Sequence, residues 1–494
     1  MPYILALDEG TTSARAALYD AEGRRLGIES CLLETRYPQP GWVEQDPEQI
    51  WGTQLAAARR LLEACRIEPS AVAAIGITNQ RETTLVWERE SGRPVAPAIV
   101  WQCRRTADFC RRLSSSPQAA EITRRTGLVV DPYFSASKIR WILEHIPDAM
   151  RRARAGELLF GTVDTWLVWK LTGGRVHVTD PSNASRTMLM NLASGQWDPV
   201  LLDLFEIPHQ MMPHIAPSSS VVGVARGELL GAEIPIGGIA GDQQAALVGQ
   251  ACFRAGLSKN TYGTGCFALL HTGDRPPVSS RGLLATRAAS TDQRAQFAIE
   301  GSVFIAGAAV QWLRDQLGLI ASAAESEALA SSVPDTAGVY LVPAFVGLGA
   351  PHWDSAARGI LTGLTRAAGR AHLVRAALES IAYQTRDLMD AMEADTGQPV
   401  RELRVDGGAA ANNFLMQFQA DILDRPIVRP ADTETTALGA AWLAGLAAGF
   451  WDSVEALESF WRVERVFEPR MPASRREQLL EGWKAAVARC RMRI

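Results

Sequence analysis

Short apolar runs at residues 4–7 and 73–78 alternate with longer stretches whose apolar positions recur at helical spacing, the pattern of an α/β protein. The clearest helix signal begins at Asp46-Pro47-Glu48, which combines an N-cap, a proline at the first helical position and a first-turn acid. Ile50, Trp51, Leu55, Ala58, Leu61 and Leu62 follow at helical intervals, so a helix is predicted from residue 47. The uncharged stretch 436–451 is rich in glycine and alanine and shorter than the ~20 residues that span a bilayer, so it reads as a packed helix. No low-complexity tract or Ser/Pro-rich linker divides the chain. A short crossover near residue 250 is expected, giving lobes 1–250 and 251–494.

Composition supports two lobes, because 494 residues with 47% hydrophobic and 21% charged content are about twice what one core supports. Fifty Lys and Arg against 54 Asp and Glu leave a net charge of -4, which offers no general attraction for nucleic acid or an anionic membrane. Four of the 50 basic residues are lysines: Lys138, Lys170, Lys259 and Lys484. The seven cysteines are scattered with no Cys-x-x-Cys pair, which fits a reduced cytoplasm and no zinc site. The opening Met1-Pro2-Tyr3-Ile4-Leu5-Ala6-Leu7-Asp8 has no basic start and reaches an acid too early for a signal peptide.

Three acid- or Gly/Thr-bearing turns stand out: Leu7-Asp8-Glu9-Gly10-Thr11-Thr12, Tyr262-Gly263-Thr264-Gly265 and Val405-Asp406-Gly407-Gly408-Ala409. The first and third read as an internal echo. Each could be ordinary turn chemistry, but each also offers what phosphate binding needs: converging N–H groups, small residues and a carboxylate for a metal. No Gly-x-x-x-x-Gly-Lys and no Val-Ala-Ile-Lys occurs, which removes P-loop NTPases and protein kinases. Gly263-Thr264-Gly265-Cys266-Phe267-Ala268 fits a loose dinucleotide fingerprint, but no acid follows at the expected place.

Longer strings give these turns a context: Gly41-Trp42-Val43-Glu44-Gln45-Asp46-Pro47, Gly76-Ile77-Thr78-Asn79-Gln80-Arg81-Glu82-Thr83, Val100-Trp101-Gln102-Cys103-Arg104-Arg105-Thr106, Asp131-Pro132-Tyr133-Phe134-Ser135, Gly241-Asp242-Gln243-Gln244 and Gly347-Leu348-Gly349-Ala350-Pro351. With these the chain resembles the carbohydrate-kinase family of the actin and hexokinase ATPases, and within it the glycerol kinases, from about residue 3 to residue 485. The resemblance implies two actin-like, ribonuclease H-like lobes, each a mixed sheet flanked by helices, with the active site in the cleft between them. It implies ATP-dependent phosphorylation of glycerol to sn-glycerol 3-phosphate with release of ADP, Mg2+ accompanying ATP, and a cytoplasmic homodimer or homotetramer. A kinase for xylulose, erythritol or dihydroxyacetone is the nearest alternative, and a catalytically silent scaffold on the same fold is another.

The family pattern places Arg81, Glu82, Trp101, Tyr133, Asp242 and Phe267 around the polyol, with Gln243 beside them. A cationic donor next to an acidic acceptor suits hydroxyls that donate and accept, and ring faces cover the carbon chain. Taken alone, Arg81 and Glu82 could equally be a surface ion pair, and Trp101 and Phe267 ordinary core. Asp242 is implied as general base, whereas an Asp after Gly is otherwise the mark of a turn or cap. On the nucleotide side the resemblance implies Asp8 at the metal, Thr11, Thr12, Ser13 and Arg15 at the first phosphate turn, Gly263 and Thr264 at the second, then Gly307, Gln311, Gly408 and Asn412. Arg15 could instead be a solvated residue.

Two positions depart from the pattern. Glu9 stands where the first turn usually has Gln; it would help hold a metal if it faced one and weaken phosphate binding if it faced phosphate. Glu233 stands where some bacterial members have the Arg of a loop that binds a sugar bisphosphate inhibitor, which puts that feedback in doubt.

Overall fold

The computed structural model describes residues 2–492 apart from 293 and 355; positions 1, 293, 355, 493 and 494 of the two expected lobes lie outside the described residues. The first half builds β1 (Tyr3–Glu9), β2 (Ser13–Tyr19), β3 (Arg25–Leu32), α1 (Pro47–Cys65), β4 (Val72–Asn79), β5 (Ser219–Ala225), β6 (Ile234–Gly241) and α2 (Asp242–Gly249). Its six strands lie in the order β5-β6-β4-β1-β2-β3. The second half builds β7 (Ser258–Tyr262), β8 (Cys266–Gly273), β9 (Leu284–Arg287), β10 (Phe297–Val303), α3 (Gly307–Asp315), α4 (Arg370–Thr396), β11 (Leu403–Asp406), α5 (Asn413–Leu423), β12 (Ile427–Pro430), α6 (Thr435–Ala447) and β13 (Val463–Phe467). Its seven strands run β9-β10-β8-β7-β11-β12-β13.

The two sheets repeat one plan. β1 pairs antiparallel with β2 and parallel with β4, as β7 pairs antiparallel with β8 and parallel with β11. This corrects the echo read from the sequence. The counterpart of the turn after β1 is the turn at 263–265, since both close a central antiparallel hairpin, whereas the turn after Asp406 ends a parallel strand and leads into a helix.

The expected helix is present: the Asp46 carboxylate accepts from Glu48 N–H, Pro47 opens the first turn, and Arg66 ends it in the left-handed region at φ 54°. Its buried face, Ile50, Gln54, Ala57, Ala58, Leu61 and Leu62, packs on the first sheet, with Trp51 and Leu55 at the margin. Successive side chains on β1 face opposite sides. Leu5 and Leu7 join the core under α1, while Ile4 and Ala6 meet Ala437, Leu438, Ala441 and Trp442 of α6.

The apolar stretch near 436–451 is therefore a packed helix, and it comes from the second half to cover the first sheet. It crosses α2 backbone to backbone: a Cβ on Gly249 would sit 1.9 Å from the Thr435 carbonyl oxygen, and one on Gly439 would sit 1.8 Å from that of Ala245. Only glycine allows helices this close. Residues 80–218, inserted between β4 and β5, add the helices and short strands that wall the cleft. Among the described residues no helix is long and apolar enough to cross a membrane.

Candidate active site

Strand alternation sets the cleft floor. Asp8 faces the α6 side and pairs with Arg15 at 2.6 Å; Arg15 also reaches Glu434, at the head of α6, at 2.7 Å. Burial pushes the Asp8 carboxyl up, Arg15 opposes this, and Asp242 adds to it. The open alternative for Arg15, a solvated residue, does not hold: it is partly buried and tied to both halves of the chain. Glu9 is turned away from solvent. It lies on the other side of the sheet from Asp8, is fully buried, and neither carboxylate oxygen has a hydrogen-bond partner among the described residues. Burial, with Asp8 as a smaller contribution, raises it well above the ordinary carboxylate range.

Each central hairpin closes in a turn that leaves a threonine exposed. In the first, Gly10 N–H bonds the Ser13 carbonyl at 3.0 Å, Thr12 is exposed, and the Thr11 carbonyl takes the Gln45 amide at 2.7 Å. In the second, Gly263 N–H reaches the Gly265 carbonyl at 2.9 Å and Thr264 is exposed. Gly307, opening α3, donates to the Gly263 carbonyl at 3.0 Å, and a Cβ there would meet that oxygen at 2.5 Å. Gln311 lies exposed on the same helix. Gly408 is exposed with open space where a side chain would stand, while Asn412 caps α5 by accepting from Leu415 N–H and donates to Ser326.

The expected polyol residues come together. Trp101 meets Tyr133 edge-on at 5.6 Å between ring centroids and Phe267, from β8 of the second half, at 6.5 Å. Trp101 Nε1 donates to the Thr11 hydroxyl at 2.9 Å, which joins this aromatic cluster to the first hairpin turn. Arg81 and Glu82 are buried and not a surface pair. Glu82 sits at φ 60°, a strained value for a non-glycine residue. Thr84, Ser135 and Lys138 all donate to its carbonyl, at 3.0, 3.1 and 3.4 Å, and hold it there.

Asp242 is the first residue of α2, where the helix dipole favours an anion. Its Oδ1 accepts the Gln243 N–H at 2.7 Å and pairs with Arg81 Nε at 3.0 Å. With its side chain 30% exposed, it is the open member of an otherwise buried group. Gln243 is largely withdrawn: it is buried, and its side-chain carbonyl accepts from Lys259, which also donates to Thr261 at 2.8 Å.

Sequence reasoning missed several charged residues here. Glu300 on β10 binds Arg81 at 2.5 and 3.1 Å, and Arg186 bonds Glu82 at 2.7 Å and Glu300 at 3.2 Å. Burial works against ionising Glu300, but Arg186 and Arg81 outweigh it and hold the carboxyl down at about 2. Lys138 and Lys259, two of only four lysines, are fully buried. Burial brings both down to about 8. A lone acid in the apolar run Phe297–Val303 and buried cations in a lysine-poor chain were the available signals.

The FGGY family of carbohydrate kinases matches by its N-terminal domain over residues 3–249 and by its C-terminal domain over residues 258–448. A glycerol kinase of Symbiobacterium thermophilum is 58% identical over 489 residues, covering 99% of this chain and 98% of its own. Glycerol kinase 2 of Thermotoga maritima is 56% identical over 489 residues, 99% of each. Among solved structures, Plasmodium falciparum glycerol kinase with ADP superposes with a TM-score of 0.94 at 35% identity, covering 100% of this chain and 99% of that one. A xylulose kinase of Rhodospirillum rubrum gives 0.85 at 26%, covering 99% and 98%.

Proposed function

The chain belongs to the FGGY family of carbohydrate kinases, and from that premise we propose that it is an ATP-dependent glycerol kinase, forming sn-glycerol 3-phosphate and ADP. The observation that carries the reading is the position of Asp242: a half-open carboxylate at a helix N-terminus, fixed by Arg81, among the aromatic box and the two phosphate-type turns. Relatives at 55–58% identity bear the same name, which favours glycerol over a larger ketose.

In this reading Arg81 and Glu82 bind hydroxyls, Trp101, Tyr133 and Phe267 cover the carbon chain, and Asp242 accepts the proton of the attacking hydroxyl as the phosphoryl group transfers in line. Gln243 supports the turn through Lys259. Thr11, Thr12, Ser13, Gly263 and Thr264 present hydroxyls and N–H groups to the phosphates, while Gly307, Gln311, Gly408 and Asn412 border the adenosine. Asp8 suits Mg2+: it is a hard oxygen donor held in place by Arg15 at 2.6 Å, and one or two carboxylates plus phosphate oxygens and water make the usual site. The ion, when bound, neutralises phosphate charge; Arg15 fixes Asp8 and lies beside the phosphates.

We also place the polyol and first-turn lobe at residues 1–250 and the nucleotide lobe at 251–494, and expect a homodimer or homotetramer in the cytoplasm, where seven free cysteines are stable. Purified protein given ATP, Mg2+ and a panel of polyols tests the central claim. Fastest turnover is expected on glycerol; fastest turnover on a pentulose, or none on any polyol, overturns it.

A further inference from the structure

We infer that Glu300 and Arg186 are positioning residues for the polyol, holding Arg81 and Glu82 in an alternating chain of charges, Asp242–Arg81–Glu300–Arg186–Glu82. The inference rests on the glycerol reading and deepens it. Arg81 offers its two terminal nitrogens to Glu300 at 2.5 and 3.1 Å, which leaves Nε as the edge that meets Asp242 at 3.0 Å. Arg186 is oriented in turn by Glu300 and hands Nε to Glu82 at 2.7 Å, its carbon lying 5.6 Å from the Tyr133 ring centre and 5.3 Å from that of Phe134. All four members below Asp242 are no more than 3% exposed.

Burying two guanidiniums and two carboxylates is costly, and apolar replacements often serve stability as well or better. What the chain does supply is direction. Without Glu300, the Arg81 fork is free to turn both its nitrogens onto Asp242 and compete with the substrate hydroxyl for that carboxylate, and Arg186 loses the partner that aims it at Glu82. Because Glu300 comes from the second half and the other four from the first, the polyol pocket is complete only when both halves meet.

The test compares wild type with Glu300→Gln and Glu300→Asp, measuring kcat, the Michaelis constants for glycerol and MgATP, and the thermal midpoint. In Glu300→Gln the glycerol constant is expected to rise about tenfold to a hundredfold with a lowered kcat, while the MgATP constant stays within about twofold. Glu300→Asp, which keeps the charge, is expected to recover part of that loss. A folded Gln variant with wild-type glycerol kinetics overturns the positioning role, as does an equal rise in both constants, the mark of general loosening. Should the Gln variant fail to fold, the Asp variant decides by the same asymmetry. Wild type inactive on glycerol overturns the functional reading itself, whereas active wild type with an unaffected variant overturns only this inference.

Discussion

Replacing Glu9 by Gln should stabilise the protein by an amount that grows with pH. Glu9 is fully buried, both its oxygens lack partners among the described residues, and the charge of neighbouring Asp8 is of the same sign. The folded chain therefore keeps Glu9 protonated at pH values where the unfolded chain has released that proton. A carboxyl raised on folding costs nothing below the unfolded value, near 4.5, and costs more as pH climbs toward the folded one. Within that window the penalty is about 1.4 kcal/mol per pH unit. Gln keeps the shape and carries no such penalty. At roughly 2 °C or more per kcal/mol for a lobe of this size, the melting advantage of Glu9→Gln should be small at pH 5 and widen as pH rises above it. Scanning fluorimetry across that range measures it. Because Glu9 lies on the sheet face away from Asp8, the Michaelis constant for MgATP should not move. Parallel melting profiles for the two proteins refute the argument, and a lowered nucleotide constant would mean that Glu9 reaches the cleft after all.

Asp242→Asn should keep most glycerol affinity and lose roughly two to four orders of magnitude in kcat, since Asn preserves size but cannot accept the hydroxyl proton; turnover above about a tenth of wild type sinks the base assignment. Gly439→Ala puts a Cβ 1.8 Å from the Ala245 carbonyl oxygen, so a loss of ~3 kcal/mol or more is expected in thermal or urea unfolding, and an unchanged midpoint contradicts the close helix crossing. Glycerol with a non-hydrolysable ATP analogue should compact the molecule as the halves close on the substrates, and small-angle scattering that is identical with and without them counts against closure.

How much of this was visible in the sequence depends on the range over which each feature is encoded. Strands β1 and β4 and helix α1 are specified within a dozen residues by apolar runs and a capping signal, and they appeared where those signals lay. The assembly of Trp101, Tyr133 and Phe267 was available only through strings resembling known kinases, because their separation in the chain says nothing about contact. The feature that sequence reading got wrong is the internal echo. The echo was sought in like-looking turns, but the structural repeat is a matter of strand pairing, and the hairpin after β1 matches the hairpin after β7.

Glu9 was judged by its neighbours in the turn, yet its surroundings follow from strand alternation: Asp8 faces the α6 side, so the next residue faces the other side of the sheet. The same logic explains why Glu300 escaped notice. On β10 it is one acid in an apolar strand, meaningful only once β10 lies beside the insertion that holds Arg81 and Arg186. Buried charge inside a regular strand is costly enough that it persists only with partners, and here those partners are Arg81 and Arg186, the first of them a residue we propose for the polyol. A single glutamate thus links the half that holds most of the proposed polyol residues to the half that holds the proposed second phosphate turn, which is where a kinase must join its two substrates.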